Sequence, residues 1–326
     1  MNWKRLIWCA KVALMVAIIW AVANQIGAKW GEIRQTTLAI NLLPGPLAVL
    51  AFSGVMLTSA SVWLWLTRQM GDRGPRLPLL GAYTYSQMGK YVIGKVVLLL
   101  MRLERSGRFG MSPQTCTLAT LLENALYMIS GALVGMMALV WHAQHLYAEG
   151  HGWILPASAV ITIGLLACCH PRIFYGLVNM ALSRMKKPRI APDQQLNRGH
   201  LLLSVLMFAP CWIFGGCALW ISAYCVSDLI PLSALPVFIG GFALSVISGM
   251  ISFLPGGLGP REAVLGLFVT WEMYPLVGNK AIAIGAVVAC LQRLFQIGAE
   301  VLLGITGAIL SAKGKQVSKL AQSPQP

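Results

Sequence analysis

The sequence predicts an all-α polytopic membrane protein, with six transmembrane helices and two re-entrant hairpins arranged as an inverted repeat. Three observations lead there. The 326 residues are 57% hydrophobic and 11% charged, with a mean hydropathy of +0.70, well outside the range of soluble domains. Lysine and arginine gather in alternate short loops between apolar runs, as they do when charge sets orientation in a bilayer. Finally, Ser252 to Phe268, reading S-F-L-P-G-G-L-G-P-R-E-A-V-L-G-L-F, sets prolines, glycines and two charges between strongly apolar arms. Irregular backbone at membrane depth survives only where protein or a wet cavity covers it.

The same composition excludes other classes. The longest polar stretch, Ser183 to His200, is too short to build a core of its own, and no phosphate-binding G-x-x-x-x-G-K-[ST] loop occurs. The formal charge of +15 resides in short loops beside apolar spans, which points to lipid surface and not to nucleic acid. Eight cysteines without a C-x-x-C pair read as small buried residues. His142, His145 and His151 fit no standard zinc spacing, so neither metal nor cofactor is expected.

In chain order, the first span runs from about Leu6 to Ile26, about 20 residues and enough to cross the hydrocarbon. It is too long for a signal peptide and lacks a small-residue cleavage site. Lys4 and Arg5 place the N-terminus in the cytoplasm. Trp30 to Leu43 follows as a segment lying flat at the outer surface. The second span, Leu47 to Thr67, returns to Arg68, Arg73 and Arg76. Tyr83 to Met101 then carries Gly89, Lys90, Gly94 and Lys95 in its middle. Arg102, Arg105 and Arg108 follow it in what reads as a loop, so both ends face the cytoplasm and the segment is a hairpin.

The third span, Thr115 to Val140, holds Glu123, and the fourth, Trp153 to His170, leads into the most basic stretch of the chain. Within that stretch Ile173 to Met185 has the apolar spacing of an interfacial helix. The fifth span is Leu201 to Tyr224. The second hairpin, Pro236 to Tyr274, enters and leaves on the outside. The sixth span, Ala281 to Leu310, carries Arg293 and Glu300 and ends in the cytoplasm with Lys313, Lys315 and Lys319. Seventeen of the 25 lysines and arginines fall on the cytoplasmic side of this arrangement and three outside, which supports it.

Residues 1–326 therefore form one membrane domain with two half-repeats, 6–140 and 153–310. Each half has an odd number of spans, so the second is inverted. Inverted repeats with paired broken elements characterise transporters, whose site lies between the breaks near the midplane.

Charge inside a span costs roughly 2.5 to 3.5 kcal/mol per residue on insertion scales, so it persists where it meets a partner or a wet cavity. That singles out Arg261, Glu262, Arg293, Glu123, Glu300, Lys90 and Lys95 as substrate-binding candidates. Pro255, Gly256, Gly257 and Gly259 form the hairpin tip, and the freed N–H groups beyond Pro260 suit an anion. Each candidate also has a structural reading. Arg261 and Glu262 can lock the tip as a pair, Arg293 and Glu300 share a helix face and can bridge to other helices, and Lys90 and Lys95 can snorkel to the surface.

The motif P-G-G-L-G-P-R-E-A-V-L resembles the signature of the flippase-like family, the transmembrane region of lysylphosphatidylglycerol synthases and its stand-alone relatives. Gly89 to Val96, G-K-Y-V-I-G-K-V, is similar to that family's first-half pattern, with Ile93 where the pattern has proline. The resemblance implies movement of lipid across the bilayer. It also implies a functional tip at Pro255, Gly256, Gly257, Gly259, Arg261 and Glu262, with Glu123 as the acidic residue after the first hairpin. The synthases' soluble transferase domain has no counterpart here, so that activity is not carried over.

The function expected is transport of an anionic phospholipid or lipid-linked intermediate between leaflets of a bacterial-type inner membrane. Arg261, Arg293 and Lys90 or Lys95 would neutralise the head group, and Glu123, Glu262 or Glu300 would take up protons. The alternatives are a membrane-embedded lipid-modifying enzyme using Glu123 or Glu262 as acid or base, and a scaffold for envelope-assembly enzymes.

Overall fold

The computed structural model describes residues 40–91, 94–141, 143–148, 152–167, 170–184, 190, 195–252, 255–257 and 259–321. The expected first span and most of the surface segment after it lie outside these residues, as does most of the basic stretch 185–194. Among the described residues every regular element is helical.

Helix α1, Gly45–Gln69, carries Pro46 in its first turn, where a missing N–H costs nothing. It ends where Arg68 folds back, 3.5 Å from the Asp72 carboxylate, and donates to the Asp72 carbonyl. Helix α2, Arg76–Ser86, tightens into a 3-10 turn over Gln87–Tyr91, and α3, Gly94–Gly107, packs back against both. The first interruption falls where the sequence placed a hairpin. However, α3 does not give way to a loop at Arg102. It continues to Gly107 because no helix breaker intervenes, and it buries Arg102, which is 1% exposed.

Helix α4, Pro113–Trp141, starts behind Ser112, whose hydroxyl accepts the Thr115 N–H at 3.0 Å. A short α5, Ala143–Ala148, follows. The expected fourth span is α6, Ile154–Ala167, and α7, Pro171–Arg184, follows it at an angle of 86°. Helix α7 is the amphipathic segment expected there, and it seats Phe174 and Tyr175 in the core. The expected fifth span is divided into α8, Arg198–Met207, and α9, Ala209–Tyr224. The cause is Pro210, which has no N–H to continue the ladder.

Then come α10, Leu235–Ile251, a 3-10 turn at Pro255–Gly257, α11, Pro260–Val277, and α12, Lys280–Ala321. Among the described residues, five helices are long and apolar enough to cross a membrane: Gly45–Gln69, Pro113–Trp141, Arg198–Tyr224, Leu232–Ile251 and Lys280–Ala312. The bent α6–α7 pair makes a sixth if counted as one span. Large apolar side chains such as Leu50, Met137, Val160 and Leu302 stay exposed on their outer faces, as a hydrocarbon solvent allows.

Helix α12 organises the second half of the molecule. It lies against α1, α2, α9 and α11, and it meets α2 and α11 through close backbone contacts. Gly81 faces Gly307 and Gly266 faces Gly285, so that a Cβ on Gly307 would sit 2.6 Å from the Gly81 carbonyl and one on Gly285 would sit 2.5 Å from that of Gly266. Small residues let helix backbones approach this closely, which supplies the packing that lipid cannot. One helix is thereby clamped to an arm of each interruption.

Candidate functional site

The second interruption is built from residues that tolerate left-handed backbone. Gly256, Gly257 and Gly259 have φ of 62°, 72° and 91°, and the conformation of Gly256 turns its carbonyl toward α12. Pro260 then opens α11. Three residues after Gly259, the Glu262 carboxylate accepts the Gly259 N–H at 2.7 Å. The helix N-terminus that looked free for an anionic ligand is thus capped by its own carboxylate. Nor do Arg261 and Glu262 form the pair that the sequence suggested. Glu262 turns to Arg293, whose Nε lies 3.6 Å from its Oε1, while Arg261 lies with its guanidinium 5.3 Å from the Phe242 ring.

Arg293, 1% exposed, also donates from Nη2 to the Gly256 carbonyl at 2.7 Å. Two turns along the same helix face, Glu300 reaches the first interruption. Its carboxylate takes Lys90 Nζ at 2.5 Å, the Tyr91 hydroxyl at 2.7 Å and Gln296 Nε2 at 2.6 Å. Lys90 therefore points to α12 and does not snorkel. The two 3-10 turns touch each other as well. Gly256 backs onto Tyr91, where a Cβ would stand 3.0 Å from the ring, and the Arg293 guanidinium lies 5.6 Å from the centre of that ring. One face of α12 thus holds both breaks through ionised side chains.

Of the sequence candidates, Arg261, Glu262, Arg293, Glu300, Lys90, Gly256, Gly257 and Gly259 come together in this cluster. The side chains of Lys95 and Pro255 lie outside the described residues, as do His142 and His151 and the side chain of His145. Glu123 is engaged elsewhere. It accepts Arg102 Nη1 at 2.7 Å and the hydroxyl of Tyr83. Arg102 further donates to Ser86 at 3.1 Å and Thr120 at 3.3 Å, and it lies 4.0 Å from the Tyr83 ring centre. Trp63 Nε1 completes the group by donating to Thr120 at 3.2 Å.

Sequence reasoning missed Tyr83 and Arg102 in this second group, and Tyr91, Gln292 and Gln296 at the breaks. The glutamines had a visible signal, since Gln292, Gln296 and Glu300 recur every four residues along an otherwise apolar helix and so share one strip of it. Around the breaks, buried polar atoms remain without a hydrogen-bond partner: Arg261 Nε, Glu262 Oε1, both amide atoms of Gln292, Arg293 Nε and Nη1, and Gln296 Oε1. Buried polar atoms are almost always paired.

Residues 8–304 match the family described as the lysylphosphatidylglycerol synthase TM region. The chain belongs to that family. With its long apolar helices, membership makes it a multi-pass membrane protein of a lipid-related family, and the match runs through both interruptions and all but the last turns of α12. No curated protein matches it by sequence.

Proposed function

We propose that this protein moves an anionic lipid, or a lipid-linked intermediate, between the leaflets of a bacterial-type inner membrane, with both termini in the cytoplasm. In this reading the two interruptions are the tips of re-entrant hairpins in two inverted halves, and their meeting point lies near the midplane. The observation that carries the reading is the pair of breaks held face to face by Arg293 and Glu300 of α12.

The chemistry follows from the pairings. Lys90 and Arg293 are already neutralised in part by carboxylates of the chain, so a head group enters by replacing one anion with another, and no bare charge is exposed to hydrocarbon. Glu300, displaced from Lys90, becomes a carboxylate in an apolar setting and takes up a proton, which couples movement to protonation. The acyl chains stay in lipid, alongside the exposed apolar faces.

The test is reconstitution. In proteoliposomes holding an acyl-labelled anionic lipid, wild-type protein is expected to accelerate passage of label between leaflets, read by a membrane-impermeant quencher. Arg293→Gln is expected to slow it at least about tenfold, since a hydrogen bond to a charged group is worth about 1.5–3 kcal/mol. Folded wild-type protein that moves no anionic lipid would sink the proposal. Lipid recovered with an altered mass would favour the enzymatic alternative, and full cellular function of Arg261→Ala the scaffold.

A further inference from the structure

The transport reading says that the cluster receives an anion but leaves the kind of head group open. The unpartnered atoms narrow it. Among the described side chains, three cations, Lys90, Arg261 and Arg293, meet two carboxylates, Glu262 and Glu300, so one positive charge is uncompensated. The donors without hydrogen-bond or ion-pair partners are Arg261 Nε, Arg293 Nη1 and Gln292 Nε2. The acceptors without hydrogen-bond partners are Gln292 Oε1 and Gln296 Oε1, while Glu262 Oε1 faces Arg293 Nε at 3.6 Å. Arg261, Gln292, Arg293 and Gln296 are all at least nine-tenths buried.

Each class of head group meets this set differently. A bare phosphate ester satisfies the donors and leaves the two glutamine acceptors unmet. A quaternary ammonium head group has no N–H or O–H to offer them. A primary ammonium beside a phosphate matches donors and acceptors, yet it carries no net charge and leaves the extra cation uncompensated in the membrane interior. A phosphodiester with one negative charge and free hydroxyls satisfies all three demands.

Resting on the transport reading, we infer that Gln292, with Gln296, is a specificity-determining residue that reads hydroxyl groups, so that the favoured cargo is a polyol or sugar phosphodiester lipid. Phosphate oxygens take Arg261 and Arg293, and hydroxyls donate to Gln292 Oε1 and Gln296 Oε1. Gln292 also returns a hydrogen bond from its Nε2. Apart from this role, a glutamine with both amide atoms unpaired and no exposure is poorly suited to its position, where leucine would pack without leaving polar atoms stranded.

The experiment compares two acyl-labelled lipids of equal charge in the same proteoliposomes: phosphatidylglycerol, which has hydroxyls, and phosphatidylmethanol, which has none. Wild-type protein is expected to move phosphatidylglycerol at least about tenfold faster, the effect of a hydrogen bond or two to a buried amide. Gln292→Leu is expected to abolish the preference, bringing the ratio of the two rates to about one, while an unfolding midpoint in detergent no lower than that of wild type reports on folding. Equal wild-type rates for the two lipids overturn this inference and leave transport standing. A Gln292→Leu protein that keeps the wild-type ratio also overturns it. Movement of neither lipid by wild-type protein removes the transport reading and the inference with it.

Discussion

Two buried ionic groups among the described residues differ in completeness. Around Glu123, one cation faces one carboxylate, and Arg102 is surrounded by Ser86, Thr120 and the rings of Tyr83 and Trp63. None of the side-chain atoms in that group is buried without a partner. At the two breaks, the described side chains carry three cations against two carboxylates, and seven buried atoms lack hydrogen-bond partners. A saturated network stabilises one arrangement, whereas a partly satisfied one is costly unless something else completes it. Burial of charge, which the sequence reading used to select candidates, does not distinguish the two; the tally of partners does.

The largest expected effect tests the saturated group. Arg102→Met removes the cation paired with Glu123 and leaves a carboxylate buried among α2, α3 and α4. Breaking a buried pair this way costs about 3–5 kcal/mol. The expected outcome is a large loss of folded protein in detergent, read as a fall in the thermal unfolding midpoint. The double variant Arg102→Met, Glu123→Leu is expected to recover much of that loss, because replacing both partners with apolar groups is close to neutral. A double variant no better than the single would show that the group is more than a structural tie.

How far such groups can be read from sequence depends on the range of the contacts. The second break was legible because P-G-G-L-G-P admits no continuous helix, and its glycines do take left-handed backbone. The capping of Gly259 by Glu262 was also local, three residues apart, but the carboxylate was read as a charge offered to a ligand. Arg102 was misread because an arginine after an apolar run is normally a surface charge. Its spacing of four from the buried Leu98 becomes informative only once α3 is known to reach Gly107. The union of Lys90 with Glu300 joins residues 210 apart, and no local pattern specifies which of several buried charges will meet. Apolar runs gave the long helices, although the division at Phe208 came from Pro210 within such a run.

An intermediate effect is expected at the contact between the breaks. Lys90→Glu places two carboxylates against each other beside α12 and is expected to destabilise the protein and abolish transport. Exchanging the pair, Lys90→Glu with Glu300→Lys, restores attraction but moves the cation onto α12 beside Arg293. Stability is then expected to recover while transport does not, since a head group would meet a rearranged field. If the exchanged protein transports at the wild-type rate, the pair is only a clasp, and the break cluster resembles the Glu123 group more closely than the partner tally indicates.

The smallest expected effect on stability is the sharpest test of the contrast. Arg261 has an unpartnered Nε, lies over Phe242 and is the cation whose removal brings the break cluster to neutrality. Replacing an uncompensated buried charge with an apolar side chain of similar reach relieves a desolvation cost. Arg261→Leu is therefore expected to leave the unfolding midpoint unchanged or higher, while transport of anionic lipid falls at least about tenfold. The two readings move in opposite directions only if the cation is kept for a ligand. A midpoint lowered as far as by Arg102→Met would make Arg261 part of the framework, because a side chain needed for folding loses stability and activity together.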